Sequence, residues 1–292
     1  MELTHTASRP GKLSSFLKSE LGLSTGLMNR LKYQNALLVN GNPERTNFPV
    51  SPGDKITVIL DEPTPIYPPE PMTLSIRYED AHLLAVDKPS GMLIHPSRHK
   101  NTGTLANGVT AYYQETCQPC AFHPATRLDR DTFGIVLLAK NSHIHAALNK
   151  LHSEGALRKT YHALVWNGPE ENSGVMEAPI RRKPLPSLLR EVAEDGQSAK
   201  TEFRVLHRGN GWSLLELRPL TGRTHQLRVH CAWAGFPILG DPQYGTEASL
   251  ALSEKLGFAT QQLGAVHLTL PHPMTKQEIT VASGLDVPLP AF

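Results

Sequence analysis

The amino-acid sequence predicts an α+β protein with a largely antiparallel mixed sheet. Short apolar runs of strand-like composition outnumber the helical segments, and several follow one another without a helix between them. Regular alternation of strand and helix, which is typical of doubly wound parallel folds, does not occur. The chain has 292 residues, and five prolines fall within DEPTPIYPPEP. We therefore predict a small domain over residues 1–60, a proline-rich linker over 61–73 and a large domain over 74–292.

The small domain is predicted to contain two helices followed by a hairpin. Leucine and phenylalanine recur at helical spacing between Leu13 and Leu21, and Leu27 and Leu31 indicate a second short helix. The runs ALLVNG and KITVIL then change to strand composition, with Asn-Gly and Pro-Gly turns beside them. This domain has seven Lys or Arg residues against four Asp or Glu, so it carries a local basic excess.

In the large domain, apolar runs predict strands at 83–86, 135–138, 161–165, 201–206, 212–217 and 265–270. Helical patterns cover residues 105–113, 142–151, 224–233 and 247–256. Ser142 and Thr224 are the expected N-caps, because a hydroxyl can accept a hydrogen bond from the first helical turn.

Composition and charge exclude several classes of protein. The net charge is only +2, so any basic surface for a polyanion must be local. The longest apolar run, residues 135–139, is too short to cross a bilayer, and the first residues lack a signal-peptide pattern, so we expect a cytoplasmic protein. Cys117 and Cys120 form a lone CxxC near His123, which is too few ligands for zinc, and we expect no metal.

The segment TRLDRDTFGIVLLAKN (126–141) places charged residues at the mouth of a buried strand. Arg127 and Asp129 are two positions apart, so their side chains point the same way in an extended backbone. A catalytic carboxylate and a surface turn with ion pairs of little energetic value are both consistent with these residues alone.

The segment RPLTGRTHQLRVHCAWAG (218–235) places arginines and histidines around a predicted helix start. Helix N-termini attract anions, and Arg223 and Arg228 add positive charge there, although Arg228 also fits a solvated helix face. Two further segments, VDKPSGMLIHPS and ALRKTYHALVW, place Lys88 in a turn after a strand, and Lys159 with Tyr161 on one strand face. An ordinary turn explains the first of these segments equally well, and ordinary side-chain packing explains the second.

Taken together, the four segments resemble the RluA-type family of pseudouridine synthases in order, spacing and residue choice. The resemblance covers roughly residues 74–284 and includes DKPSG, RLD followed by Thr and Gly, KxY, GQSAKT, TGRTHQLRVH and GxPIxGDxxY. Residues 1–60 resemble, on weaker grounds, the small S-four-like RNA-binding domain that often precedes this catalytic domain. The resemblance implies an enzyme that isomerises specific uridines to pseudouridine in structured RNA, with ribosomal RNA favoured and transfer RNA as the alternative. It implies no cofactor, and we expect a monomer.

The same resemblance implies roles for individual residues. Asp129 matches the catalytic aspartate, Tyr161 the tyrosine that stacks on the target base, and Arg223 the arginine that pairs with the aspartate. Arg127 matches the arginine that fills the space of the displaced base, and Leu227 an apolar residue of the base pocket. Five more positions match as supporting, substrate-binding residues: Lys88, Lys159, His225, Gln226 and Arg228.

The sequence departs from the family at two positions, where Thr126 replaces the usual His before RLD and Phe133 replaces the usual Ser before Gly. Two alternatives follow: an RNA-binding protein with a catalytically silent synthase domain, and a nucleoside hydrolase that uses Asp129 to release uracil. Five basic residues are expected to bind RNA phosphates: Arg30, Lys32, Arg181, Arg182 and Lys183. For the last three, a solvated loop is an equally good explanation.

Overall fold

The structure is a computed structural model that describes residues 2–23, 25–60, 67–97 and 100–290. The N-terminal unit (residues 2–60) contains β1 (Glu2–Thr6), β2 (Gly11–Lys12), α1 (Leu13–Ser19), α2 (Thr25–Tyr33), β3 (Leu37–Val39), β4 (Asn42–Pro43), β5 (Pro49–Val50) and β6 (Lys55–Ile59). Four of its strands form one sheet in the order β1-β6-β3-β4, and β2 pairs with β5. Leu13, Phe16 and Leu17 share one face of α1 and are buried in an apolar cluster made by this unit.

The remaining chain contains most of the strands and four helices. They are β7 (Ser75–Glu79), β8 (Leu83–Lys88), α3 (Leu105–Glu115), β9 (His123–Pro124), β10 (Phe133–Ala139), α4 (Ser142–Ser153), β11 (Arg158–Trp166), β12 (Ser173–Glu177), β13 (Ile180–Arg182), β14 (Arg190–Val192), β15 (Lys200–Arg208), β16 (Trp212–Pro219), α5 (Gln226–Trp233), α6 (Glu247–Lys255), β17 (Leu263–Pro271) and β18 (Glu278–Ala282).

One large sheet organises this part of the molecule, with strand order β12-β15-β16-β11-β17-β10-β8-β7. In addition, β18 pairs with β17, and β9 pairs with β10. Only the β10–β17 pair is parallel among the described ladders, and the others are antiparallel. The predicted α+β class with a largely antiparallel mixed sheet is therefore confirmed.

The central strands β8 and β10 are apolar on both faces because helices cover both sides. Alternate residues such as Leu83 and Leu137 pack with Ile144 and Leu148 of α4. Their neighbours, including Val136, pack on the opposite face with α3. Because β10 is buried on both faces, its sequence is a continuous apolar run. The loop that contains Asp129 directly precedes this strand.

Two local predictions were wrong. The N-cap of α4 is Asn141, whose side chain accepts from the backbone N–H of Ile144, because its short amide reaches that group directly. Helix α5 begins at Gln226 rather than Thr224, since His225 adopts a left-handed conformation (φ 58°, ψ 16°) that helical geometry excludes. The basic segment around Arg181, for which a solvated loop was the alternative interpretation, forms the β13–β14 hairpin.

The N-terminal unit contacts the large sheet through Met274, which packs against the apolar cores of both. The predicted linker falls partly outside the described residues, since 61–66 are not among them, and Tyr67 onward packs beside α3. Within the described part of the chain, no helix is long and apolar enough to cross a membrane.

Candidate active site

One cavity of about 640 Å³ lies between the loop before β10, strand β11 and the start of α5. Nine of the ten residues that the sequence placed in catalysis or substrate binding line it: Arg127, Asp129, Lys159, Tyr161, Arg223, His225, Gln226, Leu227 and Arg228. These residues come from three segments that are far apart in the chain. The tenth, Lys88, lies behind the wall and has no exposed surface.

Asp129 sits in the loop that precedes β10, on the wall of the cavity, with its side chain 29% exposed. Its Oδ2 atom accepts a hydrogen bond from Arg228 Nη1 at 3.1 Å and lies 3.9 Å from His225 Nε2. Its Oδ1 atom has no hydrogen-bond partner among the described residues. One carboxylate oxygen is therefore held by the protein, and the other remains available to a ligand.

The buried guanidinium of Arg228 holds Asp129 in place. Besides Asp129, it makes a bidentate pair with Asp241, at 2.7 Å and 2.8 Å, and donates to Gln243 Oε1 at 2.7 Å. The side chain of Asp241 is 0% exposed and that of Arg228 is 6% exposed. Two hydrogen bonds to one buried carboxylate fix the plane of the guanidinium, which leaves Nη1 pointing at Asp129.

The prediction that Arg223 pairs with Asp129 was wrong. Arg223 precedes α5 and is exposed at the rim of the cavity, where its Nε donates to the backbone oxygen of Ser198 at 3.0 Å. Because the helix begins at Gln226, Arg228 lies in its first turn and faces inward. The sequence assigned no role to Asp241, although it belongs to the GxPIxGDxxY motif that the resemblance included.

Tyr161 and Leu227 form an apolar wall of the cavity, as the family resemblance implied for the base pocket. Both are buried, with 6% and 7% exposure, and both belong to one apolar cluster. Burial raises the pKa of Tyr161, and the nearby carboxylate of Asp129 adds to this effect. The phenol therefore stays protonated at neutral pH, and its hydroxyl has no partner among the described residues.

Gln226 and His225 shape the end of the cavity. The Gln226 amide is fully engaged by protein: Oε1 accepts from Arg223 N and the Thr221 hydroxyl, and Nε2 donates to Lys200 O and the Thr201 hydroxyl. Gln226 therefore holds the loop rather than presenting a free group. Burial lowers the pKa of His225, which Asp129 opposes.

Lys88 is a buried ammonium that ties the Asp129 loop to the turn after β8. Its Nζ donates to the backbone oxygens of Pro89, Met92 and Arg130, at 2.9, 2.9 and 2.7 Å. Burial lowers the pKa of Lys88 to about 8, while Asp131 and Asp129 oppose this shift. Since all three protons of the ammonium are used, Lys88 stabilises the loop and is not free for a substrate.

The pKa of Lys159 is lowered like that of Lys88, but Lys159 makes no such hydrogen bonds. Burial lowers its pKa to about 8, with a further contribution from Arg127. Among the described residues, neither Lys159 nor Arg127 has a hydrogen-bond or ion-pair partner, and both line the cavity with Arg223. Burial, with a smaller contribution from Lys159, lowers the pKa of His152 on the same wall. The cavity therefore has an excess of positive charge that an anionic ligand would offset.

The two lysines give opposite expected effects on stability. We expect Lys88→Met to lower the free energy of unfolding by about 2 kcal/mol or more, because three backbone oxygens lose their donor. We expect Lys159→Met to raise it, because an unpaired, desolvated charge is removed. Both pKa values fall from 10.5 to about 8 on folding, so the folded chain holds fewer protons over this range.

The advantage of Lys159→Met should therefore be full below pH 8 and disappear as the pH approaches the unfolded value of 10.5. Urea unfolding of both variants and of the wild-type protein at several pH values measures this directly. A Lys159→Met protein that is less stable at pH 7 would contradict the assignment of Lys159 as an unpaired cation.

Of the two departures from the family pattern, only Thr126 lines the cavity. The Thr126 hydroxyl accepts from the backbone N–H of Leu137 at 2.9 Å and supports the start of the catalytic loop. Phe133 does not line the cavity; its ring packs against Gly264 and joins a core cluster with Leu164. Neither Thr126 nor Phe133 has a hydrogen bond to the Asp129 carboxylate among the described residues.

The predicted RNA-contacting residues form two separate surfaces outside the cavity. Arg30 and Lys32 lie on α2, where Lys32 Nζ sits 4.6 Å from the ring centre of Tyr33, whose side chain is exposed. The β13–β14 hairpin carries the other three, but Arg181 is paired with two carboxylates, Glu191 and Asp195. Arg182 and Lys183 have no carboxylate partner among the described residues.

Comparison with known proteins agrees with the geometry of this site. The family model for RNA pseudouridylate synthase matches residues 82–233. YlyB of Bacillus subtilis, named an uncharacterised RNA pseudouridine synthase, is 37% identical over 262 residues, which are 87% of this chain and 82% of that protein. Ribosomal large subunit pseudouridine synthase D of Zymomonas mobilis is 34% identical over 244 residues, 80% of this chain and 76% of that protein.

A solved structure shows similarity to the same family. Human RNA Pseudouridylate Synthase Domain Containing 1 superposes with a TM-score of 0.62 at 25% identity, covering 76% of this chain and 88% of the human chain. The matched region contains Asp129, Tyr161 and Arg228, which the fold brings to one cavity. This chain therefore belongs to the RNA pseudouridylate synthase family, enzymes that isomerise uridine to pseudouridine within RNA.

Proposed function

We propose that this enzyme isomerises specific uridines of structured ribosomal RNA, with the Asp129 carboxylate as the group that acts on the sugar. The observation that carries this proposal is the asymmetric binding of Asp129. Oδ2 is held by Arg228, whereas Oδ1 has no partner among the described residues and belongs to a residue of the cavity wall. An ionised carboxylate with one free oxygen is the group that glycosidic bond cleavage requires.

The isomerisation breaks the bond between the base nitrogen and the anomeric carbon, rotates the base and joins the sugar to a ring carbon. Positive charge develops at the anomeric carbon, so the Asp129 carboxylate can stabilise that charge or form a bond to the carbon. The detached base must stay in the cavity, and the wall of Tyr161 and Leu227 would hold it by stacking and apolar contact. The carbon-bound proton must then leave, and a neutral Tyr161 phenol can accept it only while its own proton passes to the ring nitrogen or to solvent, which is the role of a relay rather than of an anionic base.

The target base must first leave the RNA stack, which costs a few kcal/mol. The exposed Arg127, at the entrance of the cavity and free of protein partners in the described part of the chain, has the length and planar group to fill the vacated space. The unpaired charges of Lys159 and Arg223 suit the phosphates on either side of the flipped nucleotide.

Ribosomal RNA is the proposed substrate class because of the relatives rather than the site. Two similar proteins, from Zymomonas mobilis and Xanthomonas campestris, are named ribosomal large subunit pseudouridine synthase D. The test is to incubate the purified enzyme with unmodified ribosomal and transfer RNA transcripts and to map pseudouridine by carbodiimide treatment. Modification of ribosomal transcripts alone supports the proposal, whereas modification of transfer RNA alone overturns the substrate class, and release of free uracil would indicate a hydrolase.

We also propose that the N-terminal unit (residues 2–60) binds RNA through α2, as the S-four-like resemblance implied. The double substitution Arg30→Ala with Lys32→Ala should weaken RNA binding and reduce the slope of log affinity against log salt by about 1–2, because two phosphate contacts are lost. The rate at saturating RNA should stay unchanged, since these residues lie outside the cavity.

Filter binding at several salt concentrations measures this effect. Lys150→Ala with Lys255→Ala is a matched control, because it removes the same charge from exposed positions on α4 and α6. Equal losses of affinity in the two double variants would show that α2 has no special role.

A further inference from the structure

Tyr244 lies between the β13–β14 hairpin and the two residues that face Asp129. Its hydroxyl is 2.9 Å from the backbone nitrogen of Arg190, in β14, and 2.8 Å from Nδ1 of His225. Its ring lies 4.9 Å from the guanidinium carbon of Arg228. Tyr244 therefore contacts the hairpin backbone, His225 and Arg228 together.

The hydrogen-bond partners of the Tyr244 hydroxyl favour one tautomer of the His225 imidazole. A backbone N–H can only donate, so the Tyr244 hydroxyl accepts from Arg190. The hydroxyl has one proton of its own, and His225 Nδ1 is its only acceptor among the described residues. Donation of that proton to Nδ1 satisfies both groups, and a neutral imidazole with an unprotonated Nδ1 carries its proton on Nε2.

The neutral form of the ring is favoured by its surroundings. Burial lowers the pKa of His225; Arg228 and Arg190 act in the same direction, while Asp129 and Asp241 oppose them. The protonated Nε2 then faces Asp129 Oδ2, 3.9 Å away, the same oxygen that Arg228 binds. The N–H group can direct this oxygen away from the substrate without adding a positive charge near the anomeric carbon.

His225 also occupies a backbone conformation that needs support. Its φ of 58° is in the left-handed region, which is strained for a residue other than glycine. The residue lies immediately before α5, so its conformation sets the direction in which α5 presents Arg228. The hydrogen bond from Tyr244 and the edge-to-face contact of the two rings, at 81°, hold it there.

We propose that Tyr244 is a positioning residue that fixes His225 as the Nε2–H tautomer facing Asp129 and connects this arrangement to the β13–β14 hairpin. The hairpin carries Arg182 and Lys183 and exposes Leu185 and Leu188 at its tip. A movement of the hairpin on RNA would therefore change the hydrogen bond that orients His225. The catalytic part of this inference rests on the proposed role of Asp129, whereas the tautomer does not.

The tautomer is measured by long-range ¹H–¹⁵N correlation of the histidine rings in the ¹⁵N-labelled full-length protein, with His225 assigned through His225→Gln. We expect a pyrrole-like Nε2 and a pyridine-like Nδ1 in the wild-type protein, and a mixture of tautomers in Tyr244→Phe. Tyr67→Phe is the matched control, because the Tyr67 hydroxyl contacts His95 Nδ1 at 3.1 Å and should affect only that ring. A protonated Nδ1 in wild-type His225 would overturn the proposal.

Single-turnover kinetics on modified RNA test the positioning role. Tyr244→Phe should slow the chemical step about tenfold, the scale of one lost hydrogen bond, while RNA affinity stays unchanged. Losing the donor to Nδ1 favours the charged ring, so the acid limb of the pH–rate profile should move to higher pH, which a loss of packing alone would not cause. Tyr244→Leu should be slower still, because Arg228 also loses its ring contact.

An unchanged pH–rate profile in Tyr244→Phe would overturn the proposed effect of Tyr244 on the chemical step, even if the His225 tautomer is as proposed. Inactivity of the wild-type protein on every RNA would instead refute the function proposed for Asp129. The tautomer measurement would still test the hydrogen bond from Tyr244 to His225, because it does not depend on activity.

Discussion

Asp129→Asn is expected to abolish isomerisation while RNA binding stays at the wild-type level. The amide has nearly the shape of the carboxylate, but it carries no negative charge to stabilise or attack the anomeric carbon. Its oxygen can still accept the hydrogen bond from Arg228 Nη1, so the cavity should keep its shape. We expect the single-turnover rate to fall by at least about 10⁴-fold, the scale of losing an attacking group.

Asp131→Asn is the matched control for this substitution. It makes the same chemical change two residues along the same loop, where Asp131 pairs with the exposed Arg130. Because Asp131 does not line the cavity, its loss should leave the rate within a few-fold of wild type. Equal losses in the two variants would mean that the charge of the loop, and not the position of Asp129, determines the rate.

Arg228→Met is expected to cause the largest loss of stability among the cavity residues. Asp241 is fully buried, and without Arg228 it becomes an unpaired buried carboxylate, at a cost of about 3–5 kcal/mol. Asp129 also loses the donor that orients it, so activity should be lost as well. Thermal and urea unfolding measure the first effect, and single-turnover kinetics at a temperature where the variant is folded measure the second.

Two further variants separate stability from catalysis at this position. Arg223→Met removes an exposed arginine that holds one backbone oxygen, and should change stability by less than about 0.5 kcal/mol. The double substitution Arg228→Met with Asp241→Leu removes both buried charges and should recover much of the lost stability, because apolar side chains replace the pair. Restored activity in the double variant would contradict the role of Arg228 in orienting Asp129.

The sequence was sufficient to predict the elements that depend on local pattern. Apolar runs located β8, β10, β11, β15, β16 and β17, since burial of a strand on one or both faces leaves a clear composition. The charged residues directly before β10 made Asp129 a candidate, and the family resemblance assigned its role. The β13–β14 hairpin was missed because its strands have three residues each and flank a segment with two prolines, so no periodicity develops.

The pairing inside the site depended on information that local pattern does not contain. Arg223 and Arg228 both belong to TGRTHQLRVH, close to the predicted helix start, and the family resemblance assigned the pairing with Asp129 to Arg223. The left-handed His225 moves the start of α5 and turns Arg228 inward. Asp241 and Tyr244 come from a loop after α5, and only the fold brings them to Arg228 and His225.

The most direct test of the central claim is carbodiimide mapping of pseudouridine across total RNA from cells that lack this protein. The cells are complemented with the wild-type protein, Asp129→Asn or Asp131→Asn, each at matched expression. We expect one or more uridines of ribosomal RNA to be modified with the wild-type and Asp131→Asn proteins and unmodified with Asp129→Asn. Modification restored by Asp129→Asn, or no position restored by the wild-type protein, would contradict catalysis by Asp129 and favour an RNA-binding protein with a silent synthase domain.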